Sequence, residues 1–516
     1  MDEHSLRLLE YDRVIAAVAG RAESPRARAR LTAWRPLAAR EARSLECALL
    51  AEAIRRQREP GAWCAVGAGD LAARLDPESR EGLDGPGLVE VRGWLDAARA
   101  TGEAWREPEW RERLPRLAAL AGALPDLEEL RATLARALEP DGRVSDAASP
   151  SLERARAGVE EGERQLQHKL ERWARGFGES AYVTRHGDRF VALVPAAGFP
   201  RRRGLVHDVS GSGQSLFVEP LEMCDANNRV IELRAAAAEE ERRILIALGA
   251  GVRAAAPALA ALEETLVHLD TLRARARWAA EVDAVAVEPA GERLRLRSAR
   301  HPLLAMSERR GAVVPLDLEL GAPAKLLLVS GPNMGGKTVL LKTVGLATAL
   351  AHAAFPVPAA EGSAIPEIDR IVADVGDEQS VEQDLSTFAA HLRALAAMAE
   401  HAGPRSLLLC DELGAGTDPE EGAALGRALV EHFAARGAWG VLTTHLGSLK
   451  RVAGEVAGVV NGSLEFDTVT MTPRFRFLAG VPGASHALAV AERLGFAPAV
   501  LARARELTPA EARSLE

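Results

Sequence analysis

With 516 residues the chain is too long for one hydrophobic core, and about three or four domains are expected. Hydrophobic content of 47% with only 4% aromatics points to helix-rich cores, and a net charge of −9 excludes a global basic field, so any nucleic-acid site is local. Cys47, Cys64, Cys224 and Cys410 form no C-x-x-C pair, no signal-like segment opens the chain and no apolar run approaches about 18 residues; a soluble cytoplasmic protein with no membrane partner is the expectation.

Residues 1–150 read as a helical core. Leu6, Leu9, Val14, Ile15, Val18 and Leu31 recur at helical spacings, with Pro25 and Pro36 as breakers. Further helical patterns run to about Leu138, interrupted at Glu59–Gly69 and Gly82–Gly87.

Residues 151–285 read as long helices around a small β-rich insert. Leu152, Val159, Leu166 and Trp173 form one apolar seam, with Leu170 and Phe177 beside it. Val230, Leu233, Ala237, Ile244 and Leu248 form a second, and Leu259, Leu262, Leu266, Leu269 and Ala276 a third, with a break at Pro257. Two uses stand open for such helices, levers that carry motion or plain packing. Over about 180–220, the strands Tyr182–Thr184, Arg189–Val194, Gly204–Val209 and Ser215–Val218 are predicted between turn residues. Here Arg185, Arg189, Arg201, Arg202 and Arg203 outnumber Asp188, Asp208 and Glu219. The arginines read as backbone-phosphate contacts or as a solubilising turn.

Residues 286–505 alternate strands and helices, the pattern of an α/β domain with a mostly parallel sheet and its chemistry at the strand C-termini; 506–516 form a tail. Strand Leu326–Val329 leads into Gly331-Pro332-Asn333-Met334-Gly335-Gly336-Lys337-Thr338 and an apolar-periodic helix, the strand–loop–helix setting of a phosphate loop. Glycines turn backbone N–H groups toward phosphates, Lys337 reaches the β/γ-phosphates, and the Thr338 hydroxyl binds Mg²⁺. Lysine is scarce here, at positions 169, 325, 337, 342 and 450 only, so its retention in the loop argues for a compact ammonium. A strand at Asp369–Asp374, the polar loop GDEQSVEQDLSTF and a helix near Ala389–Glu400 follow. Strand Leu407–Cys410 ends in Asp411, placed to hold Mg²⁺, and Glu412, placed to polarise the attacking water. After helix Glu421–Arg436, strand Gly440–Leu442 ends in Thr443-Thr444-His445; His445 reads as a γ-phosphate contact or as structural. A hairpin (Gly462–Asp467 with Arg474–Leu478) and a helix from Ser485 close the domain.

Taken together, GPNMGGKT, LSTF, DELGAGTD and TTH resemble the ATPase domain of the MutS family. The segments DVGDEQSVEQDLSTFAAHL, GVPGASHALAVAERLG and HDVSGSGQSLFVEP are similar to the second bacterial paralogue branch of that family. The resemblance implies an ABC-type P-loop ATPase with ATP and Mg²⁺ as cofactors. It implies a homodimer in which Lys337, Thr338, Asp411, Glu412 and His445 act in cis while Ser386 and Thr387 reach across. Gly414–Asp418 would line the same interface. It further implies an ATP-gated clamp on branched or otherwise non-B-form DNA, in repair or suppression of recombination; the alternative is a ribosome-associated ATPase acting in rescue of stalled ribosomes. A mismatch-reading domain and a C-terminal Smr-type nuclease domain have no counterpart in these residues, so nuclease activity is not expected of them.

Overall fold

The computed structural model describes residues 1–75, 83–307, 310–331, 335–376, 384–467, 470, 472–483, 491–492 and 495–507. Packing divides the chain into two compact units, one of Ala65–Gly102 with Leu124–Thr265, the other of Met1–Cys64, Glu103–Ala123 and Leu266–Glu516. The expected consecutive division into 1–150, 151–285 and 286–505 therefore does not follow the packing. Composition reads neighbours in sequence, whereas burial partners here come from far along the chain.

In the first unit, helix Pro150–Ala174 starts from Ser149, whose Oγ accepts the N–H groups of Ser151 and Leu152, with proline at the first helical position. It packs along helix Cys224–Ala254, burying Leu166 and Leu170 with Val230 and Met223. Two glycines permit the close approach: a Cβ at Gly162 would lie 2.9 Å from Val230 Cγ2, and Gly158 faces Leu233. Of the expected seam Leu152 and Leu166 are buried, while Val159 and Trp173 are half-buried. The insert forms all four expected strands: β1 (Tyr182–His186), β2 (Arg189–Pro195), β3 (Gly204–Val209) and β4 (Ser215–Pro220). They make one antiparallel sheet in the order β1-β2-β4-β3. Ala192, Val194, Leu216 and Val218 cover one face together with Ala174 and Phe199.

In the second unit, β5 (Arg293–Ala299) pairs antiparallel with β6 (Leu316–Gly321). The main sheet contains β7 (Leu326–Ser330), β8 (Arg370–Asp374), β9 (Ser406–Cys410), β10 (Trp439–Thr444), β11 (Val459–Asp467) and β12 (Thr472–Ala479). Its order is β12-β11-β7-β10-β9-β8, parallel except for the edge strand β12. β7, β9 and β10 are buried along their whole length, as continuous apolar runs in a parallel sheet should be.

The far end of helix Lys337–His352, which follows β7, is tied down by the carbonyls of His352 and the two residues after it. Leu37 N–H donates to His352 O at 2.8 Å, Trp34 Nε1 to Ala353 O at 2.9 Å, and Arg275 Nη1 to Ala354 O at 2.9 Å. Arg275 is wholly buried, 4.6 Å from the Trp34 ring centroid and 2.9 Å from the Glu46 carboxylate. Burial raises the Glu46 pKa, but the hydrogen bond from His268 and the charge of Arg275 outweigh it and hold the value at about 2.

Three expectations change. A helix already begins at Asp384 and runs to His401, so the predicted polar loop is shorter and Ser386 and Thr387 lie in the first turn. The reason is that Leu385, Phe388, Leu392 and Leu395 continue the helical period through those polar residues, with an acid at the N-terminus. Thr443 and Thr444 belong to β10 rather than following it, because both pair with β7. The predicted tail begins at 506, but helix Pro498–Leu507 includes its first two residues. The start of the helix expected from Ser485 lies outside the described residues. Among the described residues no single helix is long and apolar enough to cross a membrane.

Candidate nucleotide-binding active site

Sheet order assembles the site. β10 lies between β7 and β9, with Thr443 opposite Val329, Thr444 opposite Ser330 and Leu442 opposite Cys410. The C-terminal ends of three parallel strands thus bring Gly331, Asp411-Glu412 and Thr443–His445 side by side.

Gly331 (φ +145°) and Gly336 (φ +92°) adopt backbone conformations that side chains disfavour. Gly336 caps helix Lys337–His352, and Gly335 precedes it. Pro332, Asn333 and Met334 lie outside the described residues. Lys337 is 3% exposed, and its Nζ donates to the Gly331 carbonyl at 2.8 Å. Burial lowers its pKa, opposed by the charges of Glu412 and Asp411. An ammonium held by a loop carbonyl can exchange that acceptor for a phosphate oxygen.

The Asp411 carboxylate is held from both sides. Thr338 Oγ1 donates to Oδ2 at 2.6 Å and Thr443 Oγ1 to Oδ1 at 2.6 Å. Thr443 Oγ1 also accepts the Glu412 N–H at 2.8 Å, so one buried hydroxyl orients both acids. Glu412 has φ +59°, a conformation that costs a non-glycine residue about 1–3 kcal/mol. Next to it, the Leu413 N–H donates to Thr443 O at 2.7 Å, fixing the turn. The hydroxyl–carboxylate pair Thr338–Asp411 has the chemistry Mg²⁺ asks for, since that ion takes one or two protein oxygens and completes its shell with water and phosphate.

His445 follows β10, exposed and without a hydrogen bond among the described residues. Ser386 and Thr387 are placed only as helical backbone; their side chains lie outside the described residues. Gly414 (φ +82°) packs against Gly422, where an added Cβ would lie 2.2 Å from the Gly414 carbonyl. Asp418 then caps helix Pro419–Ala435.

Beside the loop opens a cavity of about 650 Å³, walled by His301, Val314, Gly336, Val339, Leu340 and Phe475. Burial pushes the His301 pKa down to about 4, which leaves the imidazole neutral at pH 7.

A family model described as MutS domain V matches residues 327–510, which contain Lys337, Thr338, Asp411, Glu412 and His445. The chain is 42% identical to the endonuclease MutS2 of Thermomicrobium roseum, across 100% of this chain and 67% of that protein. It is 41% identical to the endonuclease MutS2 of Gemmatimonas aurantiaca (100% and 64%) and 39% identical to that of Pelotomaculum thermopropionicum (99% and 65%). This chain belongs to the MutS2 branch of the MutS family. It spans about two thirds of the length of these relatives.

In this MutS2-family chain the five arginines of the insert do not form one patch. Arg189 donates to Glu219 at 2.6 Å and to Asn228 at 2.6 Å. Glu219 is completely buried and also bonds His207 at 2.7 Å and Asn227 at 2.9 Å, so Arg189 is part of a structural network. Arg185 pairs with Glu163 at 3.3 Å over the Phe190 ring, and Arg203 lies over Trp173 and Phe177. Arg201 and Arg202 are exposed and have no ion pair among the described residues.

Sequence reading missed Thr443 as the hinge of the two acids, although the Thr443-Thr444 pair at the strand end was its signal. It also missed Phe475, which left no signal: its place beside Gly336 comes from hairpin geometry.

Proposed function

We propose that this chain is a Mg²⁺-dependent ATPase of ABC type that works as a dimeric clamp on branched or otherwise non-B-form DNA, in repair or suppression of recombination. The observation that carries the reading is the Thr338–Asp411–Thr443 cluster beside the buried Lys337. Membership of the MutS2 branch supports DNA as the partner. Lys337 binds the β/γ-phosphates, and Thr338 with Asp411 holds Mg²⁺, which when bound neutralises the phosphate oxygens. Glu412, aimed by Thr443, orients the attacking water and takes its proton. His445 contacts the γ-phosphate side from the end of β10. The apolar cavity at Val339 and Phe475 takes the adenine base.

The sites close between two copies, with Ser386 and Thr387 of each completing the other's. Arg201 and Arg202 supply phosphate contacts to DNA; Arg185, Arg189 and Arg203 shape the insert that presents them. The name endonuclease belongs to the relatives, and ATP hydrolysis rather than strand cleavage is the chemistry proposed for these residues.

Glu412→Gln tests the reading. The variant should bind ATP within about threefold of the parent affinity, lose about 100-fold in kcat, and retain four-way-junction DNA as a dimer in the presence of ATP. Unchanged turnover would remove Glu412 from the chemistry. ATP-dependent co-sedimentation with ribosomes, with no junction DNA retained, would replace the DNA reading.

A further inference from the structure

Four of the chain's five lysines lie in the unit that holds the nucleotide site, and Lys450 is one the mechanism above does not use. It sits in the short turn Gly447–Arg451 after His445 and is 7% exposed. Its Nζ donates to the Gly483 carbonyl at 2.6 Å. The Gly483 N–H in turn donates to Ser330 Oγ, the last residue of β7, at 2.7 Å. Contact between this segment and the loop entry is as tight as backbone allows: a Cβ at Gly483 would lie 2.4 Å from the Ser330 carbonyl oxygen and 3.0 Å from Gly331 Cα. The other end of the chain of contacts is also anchored. Asn461 of β11 donates from Nδ2 to the Lys450 carbonyl at 2.8 Å, and β11 runs parallel to β7 with Ser463 opposite Ser330.

We infer that Lys450 is a positioning residue for the phosphate loop, acting through residues 481–483 as a strap across the loop's first hinge. The inference rests on reading Gly331–Thr338 as the ATP-binding loop. The strap bears on Ser330 and Gly331, and Gly331 supplies the carbonyl that holds Lys337. Pinning Gly331 sets where the Lys337 ammonium waits. A buried side chain reaching this carbonyl suits a compact ammonium; a guanidinium at 450 would have to fit its wider planar fork into the same place. The anchoring bond is charge-assisted and buried, the class whose loss is felt most.

The role predicts a defect in ATP capture rather than in the chemical step. Lys450→Met, close in length and without charge, should raise the KM for ATP about tenfold or more while kcat stays within about threefold. Lys450→Arg should not rescue it. Ser330→Ala, which removes the other bond of the strap, should shift KM in the same direction by about threefold to tenfold. Far-UV circular dichroism and thermal melting of each variant separate misfolding from mispositioning. Lys337→Ala, titrated with fluorescent ATP, serves as the reference. If Lys337→Ala loses ATP binding while well-folded Lys450→Met and Ser330→Ala keep the parent KM, the strap has no positioning role. If Lys337→Ala itself binds ATP normally, the loop reading beneath the inference fails and the inference falls with it.

Discussion

Thr443→Val is the sharpest probe of the acid pair. The two side chains have nearly the same shape, so the change deletes one hydroxyl from a site with no solvent access. The lost bonds are the one donated to Asp411 Oδ1 at 2.6 Å and the one accepted from the Glu412 N–H at 2.8 Å. A hydrogen bond to a charged group contributes about 1.5–3 kcal/mol and a neutral one about 1 kcal/mol, so about 2.5–4 kcal/mol of local interaction disappears. The second loss matters most for rate. Glu412 is held at φ +59° against its own preference, and the Thr443 hydroxyl is one of the groups holding it there. Without that bond the backbone relaxes and the carboxylate leaves its aim.

We therefore predict that Thr443→Val lowers kcat about 10–100-fold, equivalent to about 1.4–2.7 kcal/mol of barrier. The remainder should appear as lower stability and a weaker apparent Mg²⁺ affinity through Asp411. Thr443→Ser keeps the hydroxyl and should stay within about threefold of the parent. Steady-state phosphate release across a Mg²⁺ titration measures kcat and Mg²⁺ dependence, and urea melts measure stability. Parent kcat and parent Mg²⁺ dependence in Thr443→Val would refute the claim that this hydroxyl aims the acids.

Three further predictions concern the rest of the molecule. Glu46, with a folded pKa of about 2 against 4.5 ordinarily, contributes stability that is complete above about pH 4.5 and is lost as pH falls toward 2. The difference is worth about 3 kcal/mol, so Glu46→Gln should be less stable at pH 7 in urea melts and lose less on acidification; parallel pH profiles would count against it. Arg201→Ala with Arg202→Ala should reduce the slope of log K against log salt for junction DNA by about 1.8; an unchanged slope returns that turn to a solubilising role. Arg189→Ala should leave the slope alone and instead destabilise the insert by about 2–3 kcal/mol, because the buried Glu219 loses a charged partner. A loss of salt dependence without a loss of stability would reverse that assignment.

The strand–loop–helix around Gly331–Lys337 and the strand that ends before Asp411 were legible because their signals are local. A buried strand, glycines and a lysine at fixed offsets leave few other structures to adopt. Strand ends were less legible: Thr443 and Thr444 pair with β7, and pairing between residues so far apart leaves no trace in either segment alone. The insert showed its four strands through alternation and turn residues, yet its charge misled. Counting five arginines against three acids could not reveal that Glu219 is buried and claims Arg189, or that two aromatic rings lie under Arg203. The make-up of each compact unit from separated stretches of chain was the least legible, since no local pattern says which distant helix a given apolar stripe will meet.

Lysine scarcity links the legible and illegible parts. In a chain that otherwise uses arginine, each lysine of the unit that contains the Gly331–Thr338 loop has a specific partner. Lys325 lies over the Trp439 ring at 4.9 Å, Lys342 pairs with Glu10 at 2.9 Å, and Lys337 and Lys450 are buried and each donates to a backbone carbonyl. The last two share a buried, compact setting that suits an ammonium better than the wider planar fork of an arginine. Both connect to Gly331, Lys337 directly and Lys450 by way of Gly483 and Ser330. Burial lowers the Lys337 pKa, the charges of Glu412 and Asp411 oppose it, and the Lys450 charge makes the smallest contribution. The two carboxylates therefore outweigh the second cation in keeping the Lys337 ammonium charged, so the link from Lys450 to the loop runs through position, by way of Gly483 and Ser330, rather than through charge.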